Sequence, residues 1–140
     1  MEYALYLLSR KPRTEKELVI ALKKRGVSKQ EIDSILEKLK EWKYVDDLDY
    51  AKEFVKVKMK KIYGPPVIKS ELLKRGVKPG IAEEAIKEEF DEDLVLKLAV
   101  ERARKMLGRD PDEKTIRKVW NFFARRGLPA SDILQLAREN

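Results

Sequence analysis

The sequence predicts an all-α protein built from three tandem three-helix repeats. One motif occurs three times, as ALKKRGVSKQEIDSIL at 21–36, ELLKRGVKPGIAEEAI at 71–86 and FFARRGLPASDILQLA at 122–137. Its glycines fall at positions 26, 76 and 127, and self-similarity at a nearly fixed period is the signature of a repeat architecture. No stretch of the chain shows the alternating pattern that favours a β-strand.

Each copy of the motif has the chemistry of a helix that ends in a glycine cap. A basic pair suits the negative end of the helix dipole, and a glycine then adopts the left-handed backbone of a C-cap. An apolar residue follows at once, as Val27, Val77 or Leu128, and provides the hydrophobic contact of such a cap. Because a second helix begins after it, each copy predicts an αα-hairpin.

The first repeat is predicted to span residues 1–46. Its first helix ends before Pro12, because proline disrupts a helix interior. The second and third helices begin at capping boxes, Thr14 with Glu17 and Ser28 with Glu31. The third helix then carries apolar residues at helical spacing: Ile32, Ile35, Leu36 and Leu39.

The second repeat is predicted to span residues 47–90. Asp46 and Asp47 suit the N-cap of a helix that runs from Leu48 to Tyr63, where Gly64 stops it. Two prolines at 65 and 66 open the next helix, and a third helix follows the cap glycine to about residue 90. The inward stripe of the first of these helices is Ala51, Phe54, Val55, Lys58, Met59 and Ile62.

The third repeat is predicted to span residues 91–140. Its first helix runs from Asp91 to Leu107, and its inward residues are Val95, Leu98, Ala99, Arg102 and Met106. Asp110 is the expected N-cap of the next helix, with a first-turn proline and first-turn acids after it. That helix carries Ile116, Val119, Trp120 and Phe123, and a short helix at about 130–138 ends the chain.

Two cations interrupt the predicted inward stripes. Lys58 and Arg102 occupy matching places in the second and third repeats, where the first repeat has Leu8. A cation on an inward stripe must be paired or must extend its charged end to solvent. Contact with a partner is one interpretation. We favour a structural role against helix-end carbonyls or a carboxylate, because the feature recurs in two repeats.

The repeats should stack into an elongated, curved array, because each is too small to bury a sound core alone. The radius of gyration should therefore exceed the ~14–15 Å of a compact chain of this length. Small-angle X-ray scattering measures this quantity directly. A spherical particle would rule out the open array.

The composition argues against catalysis and against insertion into a membrane. The chain has no Cys and no His, so thiol chemistry, the commonest metal ligand and the commonest general base are absent. No glycine-rich phosphate loop occurs, and no apolar run resembles a transmembrane span or a signal peptide. We therefore expect a cytoplasmic, monomeric protein that is not an enzyme and that uses no cofactor or metal.

The middle of the chain concentrates the positive charge. Residues 52–78 contain nine Lys and Arg but only two Glu, which equals the formal net charge of +7 of the whole chain. Such a block is typical of a surface that binds a polyanion or an acidic protein, although a solvated lysine-rich face has the same composition. The predicted binding residues are Lys52, Lys56, Lys60, Lys61, Tyr63, Lys69, Lys74 and Arg75.

Two further interpretations concern nucleic acid. Aromatic residues can stack on bases, but most of those in this chain fall on apolar stripes and suit a core: Trp42, Tyr44, Tyr50, Phe54, Tyr63, Trp120, Phe122 and Phe123. A basic αα-hairpin can also be a helix-turn-helix that enters a DNA groove. One recognition helix would suffice for that purpose, so the threefold repetition argues against it.

The chain resembles the RecX family in several ordered motifs. The run YVDDLDYAKEF at 44–54, followed by Gly64, Ile68, Glu71-Leu72 and KRGV at 74–77, is similar to the central RecX signature. YLLSR at 6–10 and TEKEL at 14–18 resemble the N-terminal repeat of the family, and FARRGL at 123–128 resembles the third. Three residues depart from the family pattern, which tends to have glycine at Lys43 and arginine at Asp49 and Lys58.

The resemblance implies a regulator of the RecA recombinase, with a place in homologous recombination, DNA repair and the SOS response. Such a protein would lie in the helical groove of a RecA filament on single-stranded DNA. It would suppress ATP hydrolysis, strand exchange and co-protease activity. From the concentrated positive charge, we expect its own contact with single-stranded DNA to be weak and salt-dependent. The alternative is a helical repeat protein that binds nucleic acid directly through its basic middle repeat.

Overall fold

The computed structural model describes residues 1–139, and all regular structure within them is α-helical. The predicted fold class is confirmed, because these residues form nine helices in three three-helix repeats. The helices are α1 (Glu2–Arg10), α2 (Glu15–Lys24), α3 (Lys29–Glu41), α4 (Asp47–Lys60), α5 (Pro65–Lys74), α6 (Pro79–Glu89), α7 (Glu92–Leu107), α8 (Glu113–Arg125) and α9 (Ala130–Arg138).

The glycine caps have the predicted left-handed backbone. The φ angles of Gly26, Gly76 and Gly127 are 80°, 92° and 75°. After α5, the Val77 N–H donates to the Leu72 carbonyl at 3.0 Å and the Gly76 N–H donates to the Leu73 carbonyl, also at 3.0 Å. This pair of bonds is the Schellman arrangement, which satisfies carbonyls at the end of the helix.

The chain forms two compact units. Unit 1 comprises Met1–Phe54 and Lys69–Glu88, and unit 2 comprises Val55–Ile68 and the chain from Glu89 onwards. Helices α4 and α5 therefore each contribute residues to both units. The repeat bounds given above stay a prediction.

Each unit has its own buried apolar cluster. In unit 1 the cluster is Ala4, Leu18, Leu22, Ile32, Leu36, Leu39 and Val45. In unit 2 it is Met59, Ile62, Val95, Ala99, Ala103, Leu107, Val119, Phe123, Ala130, Ile133 and Leu134. The unit 2 cluster includes three alanines, Ala99, Ala103 and Ala130, whereas the unit 1 cluster includes one, Ala4.

Thr14 is a buried polar residue of unit 1, and its hydroxyl both accepts and donates a hydrogen bond. Its hydroxyl accepts from the Glu17 N–H at 3.1 Å and donates to the Arg75 carbonyl at 2.7 Å. The Glu17 carboxylate accepts from the Thr14 N–H at 3.0 Å, so the predicted capping box is present. One side chain thus caps the start of α2 and also binds the carbonyl that follows α5.

Asp46 and Asp47 have separate roles at the start of α4. The Asp46 carboxylate accepts from the N–H groups of Leu48 and Asp49 at 3.0 and 3.1 Å, which confirms an N-cap at this point. The Asp47 carboxylate accepts from the Glu15 N–H at 2.9 Å. Burial raises the pKa of Asp47, although this hydrogen bond acts in the opposite direction.

The predicted end of α4 is wrong. The helix ends at Lys60, and Ile62 has a left-handed backbone with φ of 67°, which is rare for a β-branched residue. Gly64 serves a different purpose, because its N–H donates to the Arg126 carbonyl at 2.7 Å. A Cβ atom at Gly64 would overlap the carbonyl oxygen of Gly127. Gly64 is therefore required by close backbone approach within unit 2.

The predicted N-cap of α8 is also wrong. Asp112, and not Asp110, accepts from the Thr115 N–H at 2.8 Å, and the helix begins at Glu113. This hydrogen bond lowers the pKa of Asp112. The sequence offers two aspartates around one proline, and the helix uses the second.

The inward stripe predicted for α7 is confirmed at Val95 and Ala99, but its C-terminal half is displaced by one position. Ala103 is buried and Arg102 is exposed, so the row at 95, 99, 103 and 107 faces the core. Leu98 and Met106 are half-buried. Lys58, the other predicted inward cation, is half-buried on α4.

Several apolar side chains assigned to the core are exposed. Trp42 and Tyr44 lie in the turn after α3, and Trp120 lies on α8. Leu73 is also exposed, although its neighbour Leu72 is fully buried. Trp120 and Leu73 lie on helices whose buried face is narrower than the apolar spacing suggests, whereas Trp42 and Tyr44 lie beyond the end of α3.

Candidate functional site

The predicted partner-binding residues lie on α4 and α5 and in the turns that follow these helices. Unit 1 contains Lys52, Lys69, Lys74 and Arg75, whereas unit 2 contains Lys56, Lys60, Lys61 and Tyr63. Their environments differ within each unit. Their contacts indicate how far each side chain is open to a partner.

Two lysines of unit 1 form ion pairs with α6. The Lys52 Nζ lies 2.7 Å from Glu88 Oε2, and the Lys69 Nζ lies 2.6 Å from Glu83 Oε1. Both carboxylates belong to residues beyond the basic block that was counted along the sequence. Part of the positive charge of that block is therefore balanced locally in the folded protein.

Lys52, Lys56 and Lys60 lie at i,i+4 spacing along α4, which predicts one shared solvent-exposed row, and this prediction is wrong in part. Lys52 and Lys56 are half-buried, and only Lys60 is exposed. In unit 2, the Lys56 Nζ lies 3.9 Å from Glu89 Oε2. A substitution at Lys52 or Lys56 would therefore disturb packing and ion pairs as well as any contact with a partner.

Arg75 is exposed but is held against two aromatic rings. Its guanidinium carbon lies 4.7 Å from the Phe54 ring centroid, and its Nη1 donates to the Tyr50 hydroxyl at 2.8 Å. The two rings are stacked with centroids 6.4 Å apart. A guanidinium over a ring face gains cation–π energy and loses conformational freedom. Arg75 thus joins the end of α5 to the face of α4 within unit 1.

The residue before each cap glycine repeats this arrangement. The guanidinium carbon of Arg25 lies 3.8 Å from the Tyr3 ring centroid. The guanidinium carbon of Arg126 lies 4.1 Å from the Tyr63 centroid and 4.3 Å from that of Phe122. Sequence reasoning assigned these arginines to the helix dipole and missed the stacking. The sequence does contain a signal for this stacking, because an arginine directly precedes the cap glycine in all three repeats.

Tyr63 is half-buried and has two cations of unit 2 near its ring. The Lys58 Nζ on α4 lies 5.0 Å from the ring centroid, and the guanidinium of Arg126, at the end of α8, lies over the same ring. The Arg126 Nη1 donates to the Lys61 carbonyl at 2.8 Å, which satisfies a carbonyl just beyond the end of α4. These contacts give Lys58 and Tyr63 a structural role in the turn after α4.

Lys60, Lys61 and Lys74 are the predicted cations most open to a partner. All three are exposed, and their side chains form no ion pair with any residue from 1 to 139. Each can present its full charge to an anionic surface. Lys60 and Lys61 are adjacent in unit 2, whereas Lys74 belongs to unit 1.

The exposed cations of each unit are suited to electrostatic contact with another macromolecule. In the described part of the chain, no cluster of three or more His, Cys, Asp or Glu side chains could hold a metal ion. No described helix has the length and apolar character that a membrane span requires. The chemistry that these side chains offer is the binding of carboxylate or phosphate oxygens by ammonium and guanidinium groups.

Two family models match the chain. The model described as RecX, first three-helix domain, matches residues 1–39, and the model described as RecX, second three-helix domain, matches residues 46–86. Together they account for more than half of the sequence. The matched segments coincide with α1–α3 and α4–α6.

Curated relatives and a solved structure agree with these matches. The regulatory protein RecX of Geobacillus sp. (strain WCH70) is 38% identical over 133 residues, which cover 90% of this chain but 48% of that protein. The chain thus spans about half the length of this relative. The regulatory protein RecX of Halorhodospira halophila is 31% identical over 130 residues, which cover 93% of this chain and 81% of that protein. The crystal structure of RecX from Lactobacillus salivarius superposes with a TM-score of 0.85 at 28% identity, covering 97% of this chain and 92% of that one.

Proposed function

The chain belongs to the RecX family, and on this premise we propose that it regulates a RecA recombinase. The observation that carries the proposal is the match to both RecX domain models together with the superposition on a RecX crystal structure over nearly the whole chain. The curated relatives are named regulatory proteins. The proposed role is accordingly regulatory and not catalytic.

The proposed mechanism is binding in the helical groove of a RecA filament on single-stranded DNA. Occupation of the groove would suppress ATP hydrolysis, strand exchange and co-protease activity, because these activities depend on the filament. The exposed cations Lys60, Lys61 and Lys74 support this proposal, since a nucleoprotein filament presents phosphate and carboxylate groups. We place this regulator in the cytoplasm as a monomer.

The roles of the remaining predicted residues follow from their contacts. Lys52, Lys56 and Lys69 contribute charge that α6 partly balances. Arg75 and Tyr63 mainly hold α4 and α5 in position through stacked rings. We therefore expect these five residues to act on filament binding less strongly than the three open lysines.

Direct binding of nucleic acid without a filament is the second candidate, favoured by the basic middle repeat. The two proposals differ in how affinity depends on salt and on RecA. A chain that binds free DNA through a few lysines loses affinity steeply with salt, because counterion release dominates such contacts. Binding to a filament adds protein contacts that salt screens less completely.

Surface plasmon resonance on immobilised single-stranded DNA separates these candidates. The DNA is measured bare and then coated with RecA in the presence of a slowly hydrolysed ATP analogue. We expect the filament to bind the chain at least about tenfold more tightly than bare DNA near 0.15 M salt, a difference of roughly 1.4 kcal/mol. Equal affinity for bare DNA would favour direct nucleic-acid binding instead.

A further inference from the structure

A shallow basic depression lies on unit 1, on the first repeat and apart from the predicted binding residues of α4 and α5. It has a volume of about 490 Å³ and is lined by Tyr3, Leu7, Arg13, Glu17, Ile20, Ala21, Lys24 and Arg25. All of these residues belong to α1, α2, the turn between them and the C-cap of α2. The charge here was not part of the basic block at 52–78.

Cations dominate the depression. Arg13, Lys24 and Arg25 line it, and Arg10 lies outside the lining at the end of α1, with its guanidinium carbon 6.0 Å from the Tyr6 ring centroid. Glu17 is the acidic side chain of the lining, and its carboxylate is occupied by the capping box of α2. An anion that enters would therefore meet guanidinium and ammonium groups with little competition from a free carboxylate.

Arg13 is held in a way that leaves a donor unused. The residue is half-buried, and its Nε atom is buried without a hydrogen-bond partner among residues 1–139. Buried donors in folded proteins are usually paired, and an unpaired one is costly. The buried Nε is not itself open to a ligand, so Arg13 contributes its positive charge to the depression that it lines.

Tyr3, which lines the depression, stacks on the ring of Tyr6, which lies outside the lining. Tyr3 and Tyr6 are parallel within 12°, with centroids 6.4 Å apart. The Arg25 guanidinium covers Tyr3 at 3.8 Å, whereas the Arg10 guanidinium lies 6.0 Å from the Tyr6 centroid. Tyr6 is 52% exposed, so its ring remains accessible from solvent. An exposed ring beside several cations suits an unpaired base with its phosphates.

We propose that this surface binds single-stranded nucleic acid, with a base stacked on Tyr6 and phosphates held by Arg10, Arg13, Lys24 and Arg25. A base can reach the ring only when it is not paired, which favours a single strand over a duplex. The exposed ring favours nucleic acid over an acidic peptide, because an acidic peptide would be bound by the cations without using the ring. This inference does not depend on the proposed regulation of RecA.

Fluorescence anisotropy of a labelled oligothymidylate tests the proposal on the full chain without RecA. Tyr6→Ala should weaken binding at least about fivefold, because base–aromatic stacking contributes appreciably to each contact. Tyr6→Phe should bind within about twofold of the unchanged chain, since it keeps the ring face. Tyr44→Ala is the matched control, because Tyr44 is 59% exposed in the same unit and lies outside the depression.

A second variant tests the phosphate contacts. Arg10 and Lys24 are exposed, so the double change Arg10→Gln, Lys24→Gln should leave the fold intact by circular dichroism. The slope of log affinity against log salt should become shallower by about 1.4, because each lost phosphate contact on a single strand removes ~0.7.

Three outcomes would overturn the proposal. The first is binding by Tyr6→Ala that equals that of Tyr44→Ala. The second is an unchanged salt slope in the Arg10→Gln, Lys24→Gln variant. The third is equal affinity for a duplex or displacement of the oligonucleotide by polyglutamate at matched charge, which would indicate a site for anionic polymers in general.

Discussion

Substitution of Gly76 with valine should lower the free energy of unfolding by about 3 kcal/mol or more. Its φ angle of 92° is strained for any residue with a Cβ atom, and a β-branched residue is the least tolerant. Strain of this kind costs ~1–3 kcal/mol. A Cβ at this position would also overlap the Cβ of Lys16 on α2, so overpacking adds a further ~1–3 kcal/mol.

Gly26→Val is the matched control for this prediction. Gly26 occupies the same place in the first repeat and has a φ angle of 80°, but a Cβ there would meet no atom within 4 Å. Gly26→Val should therefore lower the free energy of unfolding by the backbone strain alone, without the overpacking expected for Gly76→Val. Urea denaturation measures both variants, and equal losses of stability would contradict the close approach of α2 to the α5 cap in unit 1.

Charge reversal at the three open lysines should raise the concentration needed for half-maximal inhibition of RecA by about tenfold or more. The variant is Lys60→Glu, Lys61→Glu, Lys74→Glu. These side chains are exposed and form no ion pair with a residue from 1 to 139, so the fold should survive with a small loss of stability. Lys52 and Lys56 are left unchanged because reversal there would place carboxylates beside Glu88 and Glu89.

A second triple variant with the same change in net charge shows whether the loss of inhibition comes from Lys60, Lys61 and Lys74 or from the net charge of the protein. Lys97→Glu, Lys105→Glu, Lys114→Glu changes three exposed lysines of α7 and α8, and both triple variants lower the formal net charge from +7 to +1. The control should inhibit RecA nearly as well as the unchanged chain. If both variants lose inhibition equally, the net charge of the protein and not the predicted surface governs binding.

The fold could be predicted because its signals are local. A capping box, a glycine after a basic pair and a proline at a helix start each act within one helical turn, and together they locate most helix ends. Asp46, Thr14 and Gly76 illustrate this, since each has the backbone or cap contact that its neighbours in sequence demand.

The errors in the fold arose where a tertiary contact overrides a local preference. Nothing around Ile62 predicts a left-handed residue, yet the carbonyls of Lys61 and Ile62 face the Arg126 guanidinium at 2.8 and 3.5 Å. Lys43, with φ of 62°, differs because its left-handed backbone belongs to a local cap after α3, where the Lys43 N–H donates to the Lys40 carbonyl at 3.0 Å and the Tyr44 N–H donates to the Leu39 carbonyl at 2.8 Å. The buried face of α7 is the side that packs against α9. The apolar spacing of α7 is compatible with two adjacent faces of the helix, so the sequence alone does not decide between them.

The partner-binding residues were harder to predict than the fold. Charges that are clustered along the sequence can be balanced in the folded protein by residues that are distant in sequence. Glu88 lies 36 residues after Lys52, yet the two side chains form an ion pair. The basic count at 52–78 therefore overstated the free charge. The Tyr3, Tyr6 and Arg25 arrangement was missed because its members are separated by the turn between α1 and α2. The i,i+3 spacing of Tyr3 and Tyr6, followed by Arg10 one turn later, was the signal available.

The most direct test of the central claim is the ATPase activity of RecA on single-stranded DNA while this chain is titrated in. RecA from the same organism, or from a RecX-bearing relative of high similarity, is the matched partner. The proposed function predicts that hydrolysis falls in a saturable manner, with the unchanged chain and the Lys97, Lys105, Lys114 control acting alike and the Lys60, Lys61, Lys74 variant acting weakly. Hydrolysis that stays constant at every concentration of the unchanged chain would contradict regulation of RecA.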